Sequence, residues 1–286
     1  MDYLYAMYNA GEYHTMKVDR EVEFGVYLDD GKEGILLPKR FVTEGTKPGN
    51  ELKIFLYHDS EDRLIATTQK PKGIVGDIVK LKAVSTTPQG AFLDWGLMKD
   101  LFVPKSQQTG VMRPLGEYIV KIYRDEKTGR VAATERVEET LQNNELTVKE
   151  MEPVDLIVLR RTDIGYLVII NNKHTGVLHA NEIYRQITSG DSFKGFIKKI
   201  TPKPDGGFLI DVAAGTQGYA RVEEEGEKII RLLKENDGYL PYYDKSDAEE
   251  IYAFFGMSKK TFKMTIGNLY KARKITLEKT GIKLSD

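Results

Sequence analysis

Apolar and polar positions alternate along three stretches of the chain that follow one plan, beginning at Glu23, Pro88 and Asp163. In each, a glycine precedes a short apolar strand and a second apolar strand follows. A turn rich in Gly, Asp or Asn then leads into two further strands. Short strands separated by such turns about every 8–12 residues predict a small five-stranded β-barrel. Because a unit of about 60 residues recurs, the repetition predicts three barrels in tandem.

The pattern changes to a helical period after residue 221. Helices are predicted at 224–236, 247–255 and 259–272 from apolar residues three and four positions apart. Ser246 is the expected N-cap of the second helix, with Glu249 completing a capping box, and Ser258 is the expected N-cap of the third. A β-hairpin is predicted at 274–284. Three helices followed by a hairpin predict a winged helix-turn-helix.

These patterns predict a multidomain, mainly β protein in which an α/β winged-helix domain follows the three barrels. The predicted domains are 1–70, 71–140, 150–218 and 221–286. The linkers at 69–75 and 137–153 are short, and the polar stretch 138–150 is predicted to be a helical or flexible connector.

Composition narrows the functional class. The 42 Lys and Arg residues against 43 Asp and Glu residues give a net charge of −1, which excludes a uniformly basic nucleic-acid coat. The chain has no cysteine, so disulfides, cysteine-bound zinc and thiol nucleophiles are excluded. Apolar runs such as 166–170 are far shorter than the roughly 18 residues that a membrane helix needs. We therefore expect a cytoplasmic protein that does not enter membranes.

The sequence gives little support for a catalytic site. The four histidines lack zinc-helix spacing, and there is no GxSxG, P-loop or Rossmann glycine motif. His58, Asp59 and Ser60 contain the residue types of a triad, but neighbours on one turn cannot face each other as a triad does. Asp94 and Asp100 belong to strand ends and turns of the repeat. We predict no enzyme, no metal and no cofactor.

Three motifs carry a resemblance to a known family. They are DSEDRLIATT at 59–68, GAFLDWGLMKDL at 90–101 and MSKKTFKMTIGNLYK at 257–271. Together they resemble the conserved virulence factor B family, and the resemblance covers nearly the whole chain. It implies OB-fold barrels of the S1 RNA-binding type, a C-terminal winged helix, RNA binding and post-transcriptional regulation in bacteria. It implies no catalytic activity.

An OB-type barrel binds single strands by stacking bases on aromatic rings and placing cations near phosphates. Strand alternation puts Phe92 on the same face as the polar Asp94, so Phe92 is a candidate stacking ring. By the same argument Tyr27 shares a face with Asp29. The alternative is that both rings pack against a neighbouring domain.

The third repeat differs from the first two. Leu167 occupies its aromatic position, and His179 stands where the other repeats are expected to have Leu37 and Val103. The resemblance places His179 on the RNA-binding face. Candidate phosphate contacts in this repeat are Arg160, Lys194, Lys198 and Lys199.

The first two repeats are expected to carry apolar residues at the binding platform, namely Ile35, Leu37, Leu101 and Val103. Apolar side chains there favour packing between domains, so the third repeat is predicted to be the better RNA site.

The last module has a strong charge asymmetry. Residues 221–250 hold 5 basic and 10 acidic residues, whereas residues 256–283 hold 8 basic and 1 acidic residue. The predicted nucleic-acid contacts of the winged helix are Lys259, Lys260, Lys263, Asn268, Lys271 and Lys274. They are expected to lie away from an apolar stripe formed by Phe262, Ile266, Leu269 and Tyr270.

The predicted partner is single-stranded RNA. Two alternatives stay open: a scaffold whose winged helix docks the transcription or translation machinery, and DNA binding by the winged helix.

Overall fold

The computed structural model describes residues 8–180, 186–215 and 218–285, without the side chains of 218–224. It divides into two compact units. The first unit comprises 1–145, 157–176 and 186–191, and the second comprises 146–156, 177–185 and 192–286.

The first five strands form a closed barrel in the order β1-β2-β3-β5-β4. Their bounds are β1 Tyr13–Val22, β2 Gly25–Leu28, β3 Ile35–Pro38, β4 Glu51–His58 and β5 Leu64–Thr67. Alternation along β2 buries Val26 and Leu28 inside the barrel. A Cβ on Gly25 would lie 2.2 Å from the carbonyl oxygen of Leu37, so only glycine fits where β2 starts beside β3.

The next five strands repeat the arrangement as a five-stranded sheet in the order β10-β9-β6-β7-β8. Their bounds are β6 Ile78–Thr87, β7 Gly90–Leu93, β8 Leu101–Pro104, β9 Glu117–Arg124 and β10 Val131–Thr134. The end strands β8 and β10 lie beside each other, which gives the sheet its barrel shape.

The outer wall of the first barrel packs on the second. Phe55, Tyr57 and Ile65 belong to one buried cluster with the core of the second barrel. Trp95 belongs to this cluster: its ring lies edge-on to Phe55 at 5.5 Å, and its Nε1 donates to the carbonyl oxygen of Gly73 at 2.8 Å. The first two barrels therefore pack on each other, but through Phe55, Tyr57 and Ile65 and not through the apolar residues from which packing was expected.

The connector after the second barrel is a single 3-10 turn, Val137–Thr140, followed by irregular chain up to β11. It is neither a regular helix nor fully solvated, because Val137 and Val148 are buried.

The third barrel is closed in the order β11-β12-β13-β15-β14. Its strands are β11 Pro153–Thr162, β12 Gly165–Ile170, β13 His174–His179, β14 Ser192–Pro202 and β15 Phe208–Ala214. A bulge in β14 makes Ile197 face Val212 and Lys199 face Asp211, which leaves Lys198 as the extra residue.

The last module is a winged helix, as predicted. Its elements are α1 Gly218–Glu235, β16 Tyr239–Leu240, α2 Ala248–Phe255, α3 Lys259–Lys271, β17 Ile275–Leu277 and β18 Ile282–Leu284. The short strand β16, which the pattern did not predict, pairs with β18 and extends the hairpin to three strands.

The structure corrects two details of this module and confirms a third. Asp247, not Ser246, is the N-cap of α2, and its Oδ1 accepts from the backbone N–H of Glu249 at 2.7 Å. Ser246 instead accepts from the N–H of Tyr243. Tyr270 is 54% exposed, because one residue turns a helix by about 100° and carries it away from the buried Leu269. The N-cap at Ser258 is confirmed by its bond from the N–H of Thr261.

Candidate nucleic-acid interface

A groove of about 550 Å³ lies on the outside of the second barrel. Its lining includes the rings of Phe92 from β7, Phe102 from β8 and Tyr123 from β9, together with the buried Trp95. The rings of Phe92 and Phe102 are 5.1 Å apart and tilted by 42°. Phe92 is half-buried between the interior residues Ala91 and Leu93, so alternation placed it on the outer face correctly. Such a cluster offers bases a surface for stacking.

Two cations line one side of this groove. The Lys99 ammonium donates to the carbonyl oxygen of Asp59 at 2.6 Å and lies 3.8 Å from the Asp62 carboxylate. The Arg130 guanidinium pairs with the same carboxylate. Asp59 and Asp62 belong to the β4–β5 hairpin of the first barrel, so the first barrel positions the cations of the second. A phosphate entering here would compete with Asp62 for both cations.

Burial controls the charge of three groups in the groove. Burial raises the pKa of Tyr123, and Asp125 raises it further. Burial also raises the pKa of Asp100, with an added effect of Asp94. Burial and then Lys99 lower the pKa of His58, so its imidazole is neutral at neutral pH. The Nδ1 of His58 is buried and has no hydrogen-bond partner among the described residues.

Tyr27, the candidate ring of the first barrel, is half-buried on β2. The Arg20 guanidinium lies 4.2 Å from its ring centroid, and Phe24 meets the ring edge-on at 6.3 Å. Arg20 thus covers one ring face and would have to move before a base stacked there. Tyr57 on β4 is the first barrel's equivalent of Tyr123 on β9. Its side chain is buried against the second barrel.

The apolar platform predicted for the first two repeats is wrong. Ile35, Leu37, Leu101 and Val103 are all at most 5% exposed, because they point into the barrels. They therefore carry no information about the outer faces.

The prediction that His179 is equivalent to Leu37 and Val103 is also wrong, because the alignment of the repeats is shifted by one residue. Leu178 is buried as Leu37 is. In the parallel pairing of β13 with β15, Val177 lies opposite Asp211, and in the pairing of β3 with β5, Leu36 lies opposite Ile65. His179 therefore corresponds to Pro38 of the first barrel. It lies on the outer face through strand alternation.

The candidate residues of the third barrel are distributed over several ion pairs. His179 Nε2 lies 3.0 Å from the Asp211 carboxylate, and Lys199 faces Asp211 across the β14–β15 ladder. Lys198 is exposed in the bulge. Lys194 pairs with Asp155 at 2.6 Å. His179 thus contacts Asp211, and the strand register places Lys199 opposite the same residue.

Arg160, at the end of β11, pairs with Glu138 of the connector at 3.1 Å. This bond raises the pKa of Arg160, so the guanidinium stays charged. A phosphate would have to displace Glu138 before Arg160 could bind it.

The winged-helix candidates fall into two groups. Lys260, Lys263 and Lys271 are exposed on one face of α3, a helix without any acidic residue. Lys259 is half-buried and its Nζ lies 3.4 Å from the carbonyl oxygen of Lys245. Asn268 and Lys274 lie elsewhere and line a cavity with α1.

The two cations and two of the half-buried rings of the groove had no place in the predicted site, namely Lys99, Arg130, Phe102 and Tyr123. Alternation could have found Phe102, which lies between the buried Leu101 and Val103 as Phe92 lies between its buried neighbours. Nothing in the sequence pointed to Lys99 and Arg130, because the hairpin of another barrel positions them.

Within the described parts of the chain, no three His, Asp or Glu side chains form a group that could hold a metal ion. None of the helices described is both long and apolar enough to cross a membrane.

Comparison with known proteins assigns the family. The model of the S1 domain matches residues 10–69, and the model of the CvfB-like winged helix domain matches residues 227–284. The conserved virulence factor B of Staphylococcus aureus (strain USA300) is 30% identical over 255 residues, covering 83% of this chain and 80% of its own. The chain belongs to the conserved virulence factor B family.

Similarity to the family extends over most of the chain. The protein YitL of Bacillus subtilis is 27% identical over 278 residues, covering 94% of this chain and 91% of its own. A solved structure from Streptococcus pneumoniae, described as a multidomain protein with nucleic acid binding domains, aligns over 96% of this chain and 98% of its own. Its sequence identity is 20% and its TM-score is 0.41.

Proposed function

We propose that this protein binds single-stranded RNA, with little sequence preference, and regulates gene expression after transcription without catalysing a reaction. S1 domains and winged helices are nucleic-acid-binding domain types, and the chain matches both. The observation that carries the proposal is the groove of the second barrel, where Phe92, Phe102 and Tyr123 lie beside Lys99 and Arg130.

The groove supplies the two interactions that unpaired strands need. Each base that stacks on an aromatic ring contributes roughly 1–3 kcal/mol, and the stacking tolerates any base. Lys99 and Arg130 supply cations for the phosphates at the same place. Duplexes bury their base faces, so stacking of this kind favours single strands.

Further sites on the chain would add to the affinity. His179 and Lys199 of the third barrel, and Lys260, Lys263 and Lys271 of α3, offer additional contacts. Weak sites on one chain raise each other's effective concentration when one strand can reach them together. The cytoplasm is the compartment in which such a strand would be met.

Titration of the full chain with labelled single-stranded RNA tests the proposal. Affinity should fall by orders of magnitude between about 50 and 200 mM salt, because several phosphate contacts release counterions. Phe92→Ala should weaken binding about tenfold through the lost stacking. Tyr252→Ala, which removes an exposed ring from α2, is the matched control and should bind as the parent does.

Single-stranded DNA and a duplex serve as the other arms of the titration. Tight duplex DNA binding that Phe92→Ala leaves unchanged would favour DNA recognition by the winged helix. Failure to bind any nucleic acid at low salt would favour the scaffold.

A further inference from the structure

The winged-helix domain contains a cavity of about 750 Å³ that the proposed function does not use. It lies between α1 and α3, and β18 contributes Leu284 to its lining. Ile230 and Leu269 add apolar wall. A cavity of this size matches the usual volume of small-molecule sites, about 300–1,000 Å³.

Two polar groups in the lining have unused hydrogen-bonding capacity. Thr265 is fully buried, and its Oγ1 has no hydrogen-bond partner among the described residues. Buried polar atoms are rarely left unpaired, because that state is costly. Asn268, half-buried one turn of helix away, has an amide that offers two donors and an acceptor. An apolar occupant would leave both groups unsatisfied.

Cations surround the same cavity. Arg231 and Lys234 come from α1, and Arg273 and Lys274 follow α3, whereas Glu227 is the one acidic residue in the lining. None of the four cations forms an ion pair with any residue that the structure describes. Lys234, Arg273 and Lys274 lie near helix C-termini, where a positive charge interacts favourably with the helix dipole. Arg231 lies a full turn before the end of α1, so the dipole does not account for its position.

We propose that this cavity binds a nucleotide, with the base between the aliphatic walls and the phosphate at the cations. The hydroxyl of Thr265 and the amide of Asn268 would pair with polar atoms on the base edge. The nucleotide is either free or an unpaired residue of a bound strand, and in the second case the proposal rests on the proposed function.

The chemistry of the lining separates a nucleotide from an acyl anion. A fatty acid would fill the apolar volume and meet the cations, but it has no polar edge for Thr265 and Asn268. A nucleotide matches the apolar walls, the polar pair and the cations together.

The first experiment titrates the full chain with a 5′-mononucleotide, its nucleoside and ribose 5-phosphate while amide NMR shifts are followed. The mononucleotide should saturate with shifts confined to α1, α3 and β18. The nucleoside and ribose 5-phosphate should each bind at least about tenfold more weakly, because each lacks one half of the contacts. Shifts spread over the surface without saturation would overturn the proposal.

Two pairs of variants locate the site. Ala272→Trp places a large ring at the exposed edge of the cavity, and Ala253→Trp places the same ring on the exposed face of α2. Arg231→Glu reverses a cavity cation, and Lys245→Glu makes the same charge change at an exposed site outside the lining. The cavity variants should lose at least about tenfold in mononucleotide affinity, and the controls should lose none.

RNA titration and an acyl anion complete the test. If the parent binds RNA but binds no mononucleotide, the cavity proposal fails and the proposed function stands. If mononucleotide binds in the cavity but no RNA binds, the proposed function fails and the free nucleotide is the ligand. If dodecanoate displaces the mononucleotide and the Asn268→Leu variant still binds dodecanoate, the site is an acyl-anion site and the proposal is overturned.

Discussion

At the scale of single residues, Trp95 stabilises the contact between the first two barrels. It is the single tryptophan of the chain and is 3% exposed where the first barrel meets the second. Its ring packs against Phe55, and its Nε1–H satisfies the carbonyl oxygen of Gly73. Its hydrogen bond depends on the segment that joins the barrels, to which Gly73 belongs.

We expect Trp95→Phe to lower the free energy of unfolding by about 1–3 kcal/mol, because the buried carbonyl of Gly73 loses its donor. Urea unfolding followed by circular dichroism measures the change, since the variant has no tryptophan fluorescence. Phe24→Leu, at a ring that is 57% exposed, should shift stability by less than about 0.5 kcal/mol. An unchanged midpoint for Trp95→Phe would show that the hydrogen bond contributes nothing.

At the scale of elements, the β4–β5 hairpin links the first barrel to the groove of the second. Asp59 holds its turn: Oδ1 accepts from the N–H groups of Glu61 and Arg63, and Oδ2 accepts from the Arg63 guanidinium at 2.7–2.9 Å. Burial alone would raise the pKa of Asp59, but the hydrogen bonds that Arg63 and Glu61 donate outweigh it and lower the pKa. The ionised carboxylate therefore stabilises the hairpin that carries Asp62.

Asp59→Ala should cost about 1–2 kcal/mol of unfolding free energy at pH 7. Because the folded pKa is the lower one, this stability is fully present above the unfolded pKa of about 3.9 and is lost as the pH falls through the folded pKa. Urea unfolding of parent and variant from pH 7 to 3 should show the difference shrinking. Glu61→Gln, a more exposed change in the same turn, is the control. A deficit that stays constant with pH would contradict the assigned role of the carboxylate.

Helix α3 is the second element with a testable role. Reversal of Lys260, Lys263 and Lys271 to Glu should weaken binding to all RNA sequences about equally and lower the salt slope by roughly one unit for each lost phosphate contact. Lysine is a point charge and lacks the arginine fork that reads guanine bidentately, so phosphate contact is the expected mode. Stability should move by about 0.5 kcal/mol per site, since all three are exposed. Full nucleic-acid affinity together with loss of a co-purifying protein would identify α3 as a docking surface.

At the scale of the whole molecule, the barrels repeat one fold but present different outer faces. The first barrel uses part of its outer wall to pack on the second. The second has the aromatic groove, and the third has His179 bonded to Asp211, with Lys199 opposite Asp211 in the strand ladder. Repetition of the fold therefore does not repeat the binding chemistry.

We expect the third barrel to contribute more RNA affinity than the first. His179→Ala and Lys198→Ala should each weaken binding severalfold, whereas Tyr27→Ala, whose ring lies under Arg20, should have the smaller effect. Salt-matched RNA titrations of variants that melt as the parent does measure the ranking. Loss of binding in Tyr27→Ala alone would reverse it.

The sequence by itself determined most of the elements and the inner and outer faces of β2 and β7. It wrongly placed four buried residues of β3 and β8 on an outer platform, namely Ile35, Leu37, Leu101 and Val103. Alternation has a period of two, so it buried Val26, Ala91 and Leu93 and left Phe92 outside wherever strand bounds were right. The helices of the winged helix could also be predicted from the sequence, because helical periodicity is local, although the N-cap of α2 lies one residue later than predicted. The equivalence of His179 was predicted only from the alignment of the repeats, and that alignment was shifted by one residue.

Tertiary structure alone decided which outer residues meet. Lys99 and Arg130 flank the aromatic groove because the β4–β5 hairpin of another barrel reaches them, and the ion pair of Lys194 with Asp155 forms between strands distant in sequence. The cavity between α1 and α3 likewise depends on how two helices pack. Local patterns report which way a side chain points, whereas a site depends on contacts between segments that no local pattern encodes.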